Sequence, residues 1–448
     1  MSLVETFRIR SRTESLEAND VFGCPDISDA VSVGGIQSEE ESSGVPSAAP
    51  GGTRSVAALG NRAKRSHRCR PLYPRRLAAD VKAGVPVPVV LVHFGMATAG
   101  KSSSGQELYA VDAFSGCGGL SLGLKRAGFR VVGAIEIDAL AVETYRLNHP
   151  EVENVWELDI RKLTGARILR DIGLSKGELD LLAGCPPCQG FSSMTTLNGN
   201  RRIRDHRNQL IEEFGRLVGE LRPKAILMEN VPGMAGDQRF KSLLEQLSNS
   251  GYDVDDGVRV LDAADFGVPQ HRRRLVLMAS RTDKLKFAGS RRAQKSVRDA
   301  IGGLRPAGRS GDPLHDMPER RSEAVSAMIA AIPKNGGGRL DLPLDKQLAC
   351  HRATTGFKDV YGRMAWDRPA PTITGGCHNP SKGRFLHPRE NRAITLREAA
   401  LLQGFPKGYQ FSTRRGKLAA AAMIGNALPP DFVASQARVI ARSIRAMA

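Results

Sequence analysis

From position 108 onward, apolar runs of strand length alternate with stretches whose apolar residues recur every three to four positions. That alternation predicts βαβ units around a sheet. The predicted strands are 108–114, 131–135, 179–183, 225–228 and 275–279, and the predicted helices include 119–127, 139–147, 209–221 and 240–248. The fold class is therefore α/β, a doubly wound, mostly parallel sheet. Between 283 and 390 the periodicity fades into Gly, Pro and Arg, which predicts a small, irregular second domain. Helical patterns over 395–402 and 431–447 then return to the first domain. The expected organisation is an extension over 1–105, a doubly wound domain over 106–282, the irregular domain over 283–390, and a returning segment over 391–448. Residues 1–105 have little periodicity, which predicts a flexible extension. The basic run within it, between Arg62 and Arg76, reads as a solvated charge cluster or a nucleic-acid contact.

Charge changes this picture. The chain of 448 residues carries +18, and the stretch from Arg281 to Arg392 holds 22 Lys+Arg against 11 Asp+Glu, so a quarter of the chain supplies most of the excess. A localised surplus points to a polyanionic partner. The seven cysteines are scattered without disulfide-framework spacing, which fits a reducing, intracellular setting. No secretory signal is expected, and the most apolar early run, 85–96, is short and broken by Pro86 and Pro88, so no membrane span is expected.

Four segments can carry chemistry. Asp112-Ala-Phe-Ser-Gly-Cys-Gly-Gly119 runs from a strand end into glycines at a helix start, where backbone can approach a ligand closely. It lacks the Gly-x-Gly-x-x-Gly spacing of a dinucleotide site. Glu136 closes the next strand, a position from which a carboxylate can accept hydrogen bonds from ribose hydroxyls, or simply form a surface turn. Gly184-Cys-Pro-Pro-Cys-Gln-Gly-Phe-Ser192 follows the strand 179–183. A zinc half-site, a redox dithiol and a single nucleophilic cysteine on a proline-stiffened loop all compete for it, and the last leads because no partner pair has ligand spacing. Met228-Glu-Asn-Val-Pro-Gly233 places Glu229 at another strand end, where desolvation can raise a carboxyl pKa. In Gln270-His-Arg-Arg-Arg274, strand alternation sends Arg272 and Arg274 to one face and Arg273 to the other.

In this order the four segments resemble the sequence blocks of the DNA (cytosine-5) methyltransferases of bacterial type. Two further blocks, Arg392-Ala-Ile-Thr-Leu-Arg-Glu-Ala-Ala-Leu-Leu-Gln-Gly-Phe-Pro406 and Gly425-Asn-Ala-Leu-Pro429, extend the likeness. The tract Arg368-Pro-Ala-Pro-Thr-Ile-Thr374 is similar to the end of that family's recognition region. The resemblance implies a Rossmann-like, S-adenosylmethionine-dependent enzyme. Its cofactor would be lined by Phe114, Gly116, Gly118, Gly119, Glu136, Ile137, Asp159, Ile160, Pro187 and Asn426. Cys188 would be the nucleophile, with Glu229, Arg272 and Arg274 as its catalytic company, and no metal. Residues 106–282 become the catalytic domain and 283–390 the target recognition domain, where the charge surplus lies.

The residue types suit the reaction. Thiolate addition to carbon 6 of cytosine makes carbon 5 nucleophilic; a carboxylic acid can hold the N3 and amine edge, and an arginine can neutralise O2. A base stacked in duplex DNA must first swing out. The implied partners are double-stranded DNA and a restriction endonuclease of the same specificity, with the enzyme monomeric in the bacterial cytoplasm at the nucleoid. The rivals are the same chemistry on tRNA, which the basic recognition region disfavours, and a catalytically silent DNA-binding protein, which the filled catalytic positions disfavour. Ala427 departs from the family, which often has a hydroxyl residue there.

Overall fold

The computed structural model describes residues 106–187, 209–290, 293–352 and 356–447. At its centre is a seven-stranded sheet in the order β3-β2-β1-β4-β5-β7-β6. The strands are β1 (Leu108–Ala113), β2 (Phe129–Glu136), β3 (Asn154–Glu157), β4 (Leu181–Gly184), β5 (Ala225–Asn230), β6 (Val258–Asp262) and β7 (Arg273–Ser280). The first five pair in parallel, whereas β7 runs antiparallel to both β5 and β6. The chain builds outward from β1 to β3 and then returns to lay β4 on the other side of β1, so the crossovers diverge between β1 and β4. Open α/β sheets bind ligands beyond the carboxyl ends of strands at such a switch point.

Strand alternation divides the core in two. Leu108 and Ala110 face a cluster completed by Phe432, Val433 and Ile440, while Val111 and Ala113 face Phe214, Leu217 and Phe240. The first face is covered by α1 (Gly119–Arg126) and a C-terminal helix. The other is covered by α3 (Gly165–Ile172), α4 (Leu210–Leu221) and α5 (Gln238–Asn249), with α2 (Ala139–Asn148) following β2. Two strands, β3 and β6, and helix α3 were not expected from periodicity. Each strand is a sheet edge with little burial, so its sequence carries little alternation.

Beyond the sheet, regular structure is sparse. Among the described residues between 283 and 390 there is no strand within the sheet, and the longest helix is α6 (Glu323–Ala331). A small core of Met328, Ile329, Ile332, Leu342, Tyr361 and Leu386 sits here. A larger cluster joins this stretch to α7 (Leu396–Leu402) and α8 (Gly416–Asn426) through Ile373, Phe385, Leu396, Phe405 and Ile424. The final helix is α9 (Pro430–Arg445). Gly123 of α1 lies directly against Val433 of α9, so close that a Cβ there would overlap it.

The spacing of the Arg392 block has a local explanation. Thr395 caps α7 by accepting from Glu398 N, and the Glu398 carboxylate accepts in return from Thr395 N at 2.8 Å. Arg392 then donates to both carboxylate oxygens of Glu398, at 2.7 and 2.8 Å. Arg397 pairs with Asp312 and donates to the Tyr409 carbonyl at 2.8 Å. Among the described residues no helix is long and apolar enough to cross a membrane.

Candidate active site

The sheet topology assembles the predicted segments at one edge. The carboxyl ends of β1, β2, β4 and β5 deliver Phe114–Gly116, Glu136, Cys185–Pro187 and Glu229. Because β7 is antiparallel to β5, its amino end lies at the same edge and brings Arg272 and Arg274 with it. These residues line one cavity of about 1050 Å³, whose wall also includes Ile137, Asp159, Ile160, Gly119 and Asn426. Arg273, on the opposite side of the strand, is exposed.

The glycine loop is shaped by backbone conformation. Phe114, Gly116 and Gly118 all have left-handed φ values of 64°, 54° and 94°. Glycine takes these at no steric cost, whereas Phe114 is strained there, as residues at ligand sites often are. Gly118 does not line the cavity. It faces His149 and Tyr409, and the space a Cβ would need is filled by both rings. The Tyr409 hydroxyl donates to the Cys117 carbonyl at 2.6 Å. With its one proton so used, Tyr409 accepts from His149 Nε2–H at 2.9 Å. Burial pulls the His149 pKa down to about 4, keeping the ring neutral. The pair therefore pins the loop from behind.

Glu136 is more engaged than its sequence context suggested. One carboxylate oxygen accepts from Gly116 N at 2.9 Å and the other from Ile137 N and Asp138 N, both at 2.8 Å. A carboxylate has about four acceptor sites, so this leaves one for a ligand hydroxyl. Asp159 is gripped by Arg161 at 2.6 Å. Asp138 caps α2 and pairs with Arg415 at 2.5 Å at the cavity wall. Ile137 is 65% exposed although it is a large apolar residue on the cavity wall. It presents an uncovered apolar face suited to a flat ring.

The charged end of the cavity is tightly wired. Glu229 is 8% exposed and pairs with Arg274 Nε at 2.8 Å. Arg272 donates to the Ile373 carbonyl at 3.0 Å, and burial together with the neighbouring Arg274 charge lowers its pKa to about 9. Cys185 is a neutral thiol: burial first, then the charges of Glu229 and Asp112, push its pKa well above 9. Such a thiol is inert as a nucleophile at neutral pH. Asn230 donates to the Pro186 carbonyl at 2.9 Å, tying the Cys185–Pro187 segment to β5. Cys188, which follows Pro187 directly, lies outside the described residues. Below the loop, burial raises Asp112 to about 7 against its hydrogen bond from Ser121, 2.6 Å long.

Several wall residues were not expected at the cavity from the sequence. Arg415, Met423 and the Thr372–Gly375 stretch come from the returning segment and the end of the irregular region. No periodicity or motif spacing links them to the glycine loop; only the tertiary fold does.

A doubly wound sheet with a large, mixed apolar and charged cavity at its switch point is the arrangement of an open α/β ligand-binding protein. The comparisons narrow the class. The C-5 cytosine-specific DNA methylase profile matches residues 108–442. The Type II methylase M.HgiDII of Herpetosiphon aurantiacus is 35% identical over 353 residues, covering 75% of this chain and 94% of the relative. The Type II methyltransferase M.XorII of Xanthomonas oryzae pv. oryzae is 33% identical over 369 residues, with 75% and 85% covered. Among solved structures, a prophage-encoded DNA modification methyltransferase (E. coli) superposes with a TM-score of 0.53 at 27% identity, covering 76% of this chain and 100% of that one. The chain belongs to the C-5 cytosine-specific DNA methylase family and is an enzyme that methylates carbon 5 of cytosine in DNA.

Proposed function

We propose that the enzyme takes its methyl group from S-adenosylmethionine and delivers it to cytosine within one short duplex sequence, as the modification half of a restriction-modification pair. The Type II names of its relatives support the pairing with an endonuclease of the same specificity. On this reading it works as a single chain in the bacterial cytoplasm, at the nucleoid. The observation that carries the reading is the convergence of the Glu229–Arg274 pair, the Pro186–Pro187 loop and the glycine loop on one cavity.

The cavity fits the proposed cofactor. Its volume of about 1050 Å³ accommodates a nucleoside-sized ligand beside a pyrimidine. Phe114, Ile137 and Ile160 offer apolar surface for the adenine, and the remaining acceptor site of Glu136 suits a ribose hydroxyl. Gly116, Gly119, Asp159, Pro187 and Asn426 complete the wall. When bound, the cofactor supplies an electrophilic methyl on a sulfonium.

The chain's own residues perform the rest. Cys188 adds as a thiolate to carbon 6 of a cytosine swung out of the helix as N3 takes a proton, giving an enamine that is nucleophilic at carbon 5. After methylation, loss of the carbon 5 proton to a base expels the thiolate and restores the ring. Glu229 holds the N3 edge, and Arg274, already paired with it, balances charge at O2. Arg272 anchors the far wall through Ile373. Residues 283–390 act as the target recognition region, using phosphate contacts to hold the duplex and groove contacts to read it. Duplex DNA containing 5-fluorocytosine tests this directly. With the methyl donor present, a covalent adduct through Cys188 is expected, and its absence from folded protein would sink the reading. Bisulfite sequencing of DNA from expressing cells reports the modified carbon's sequence context.

A further inference from the structure

Two buried glutamines connect segments that have no chain connection near the site. Gln270 and Gln403 are both fully buried. Gln270 Oε1 accepts from Ile373 N at 3.0 Å, while its Nε2 donates to the Leu402 carbonyl at 3.0 Å and to Gln403 Oε1. Gln403 Nε2 donates in turn to the Ala427 carbonyl. Backbone groups at both ends fix the two amide orientations. A backbone N–H at Ile373 requires the Gln270 oxygen, and a backbone carbonyl at Ala427 requires the Gln403 nitrogen. Neither amide can flip without leaving buried donors or acceptors unpaired.

Both ends of this chain of bonds reach the wall of the same cavity, but they belong to segments that are anchored differently. Ile373 closes the Arg368–Thr374 tract, which is further tied to the start of β7 by Ala370 N to Pro269 O at 2.9 Å and His271 N to Ala370 O at 2.8 Å. Ala427 follows Asn426 on the cavity wall. The two also meet through backbone: Gly425 packs so closely on the Thr374–Gly375 peptide that any Cβ would overlap it. A shift of the tract must therefore displace the Asn426–Ala427 turn, and the reverse.

We propose that Gln270 and Gln403 form a positioning relay that makes cofactor binding and docking of DNA on the recognition region mutually dependent. The proposal rests on the reading of the cavity as the S-adenosylmethionine site. Coupling of this kind is reciprocal and commonly changes affinity by about fivefold or more. Neither glutamine touches the reacting atoms.

The test measures initial methylation rates with tritiated S-adenosylmethionine on sheared, unmethylated genomic DNA, at low and at saturating DNA. For the wild type, the apparent KM for the methyl donor is expected to fall about fivefold as DNA rises. In Gln403→Leu, which loses both the acceptor toward Gln270 and the donor toward Ala427, that dependence is expected to flatten to within about twofold, with kcat much less affected. Gln403→Met should behave alike. A dependence retained in both variants, or absent from the wild type, overturns the relay. A variant-free arm uses hydrogen exchange on the DNA-free wild type. Adding S-adenosylhomocysteine is expected to slow exchange at Ala370 and His271, whose bonded N–H groups lie off the cavity wall, and unchanged exchange there despite protection of the glycine loop overturns the proposal. Failure of S-adenosylhomocysteine to protect the glycine loop at all would instead count against the cofactor reading itself.

Discussion

The sheet and the irregular stretch after it are held together by different physics. The sheet is closed by two apolar clusters, one on each face, and its charged groups sit at the edge where they can act. The stretch between 283 and 390 has only a small apolar core, and its largest fully buried side chains are two arginines, Arg339 and Arg363. Arg363 donates from all three nitrogens: to Ile332 O at 3.2 Å, His387 O at 3.0 Å, Glu390 O at 2.5 Å, Ile329 O at 2.6 Å and Asn391 Oδ1 at 2.8 Å. A guanidinium has five N–H donors, and here each has an acceptor. No carboxylate takes part. A loop-rich region has many unpaired carbonyls, and one planar cation can satisfy several at once where a sheet would have used its ladder. The cavity is thus carried on a sheet closed by apolar packing, and the proposed recognition region on segments stitched by arginine.

The sharpest way to separate the two regions is at the proposed nucleophile. Cys188→Ala is expected to reduce methyl transfer to the assay floor while leaving DNA retention on a filter intact, because only the covalent step is removed. Cys185→Ala, which removes a neutral buried thiol, should stay within about tenfold of wild type. Equal loss in both would remove the distinction between them. At the other pole, Arg363→Lys leaves at most three donors for five acceptors and is expected to cost about 3–5 kcal/mol, seen in thermal unfolding. Limited proteolysis should then cut within 283–390 before the sheet. Simultaneous loss of both regions would show that the arginine hub stabilises the whole fold rather than one part.

This contrast also governs what could be read from the chain beforehand. The parallel strands β1, β2, β4 and β5 are buried and apolar, so their periodicity announced them, and the motifs fell at their ends. Edge strand β6, with Arg259 and Val260 both exposed, had no such pattern. Helix α8 has a run of alanines, Ala419 to Ala422, with apolar residues on every side, so no apolar stripe marked it. The charge surplus was legible, but its division was not. Arg339 and Arg363 are internal, and Arg392 is spent on Glu390 and Glu398, so less of the excess is available to phosphates than the count implied. Gln270 looked like an ordinary motif residue because its partners lie 103 to 133 positions away, and Gln403 because its bond to Ala427 follows no helical or strand spacing.

Within the sheet, the buried carboxyl of Asp112 provides a pH test. Its folded pKa, raised to about 7 mainly by burial, means the folded state holds a proton that the unfolded chain releases near 4. The stabilisation is complete below the unfolded value and is lost as pH rises through the folded one. Asp112→Asn removes this dependence. Its stability relative to wild type should therefore improve between pH 5 and pH 8 by about 2–3 kcal/mol, the roughly two units of the shift that lie above pH 5. Parallel unfolding curves at the two pH values would show that Asp112 is ionised throughout.

The smallest expected effect lies where the two regions meet. Tyr409 belongs to the cluster that joins the irregular stretch to α7 and α8, yet its hydroxyl ends on Cys117 O in the glycine loop. Tyr409→Phe keeps the ring packing against Phe405 and Phe411 and removes only that oxygen. The Cys117 carbonyl and His149 Nε2–H then lose a buried partner, a cost of about 1–2 kcal/mol. If the hydroxyl only stabilised the fold, unfolding would register the loss and kinetics would not. Because it pins the loop that lines the cavity, the KM for S-adenosylmethionine is expected to rise about fivefold to tenfold with kcat nearly constant, the signature of lost uniform binding. An unchanged KM beside a lowered melting temperature would confine Tyr409 to the stitched half of the molecule.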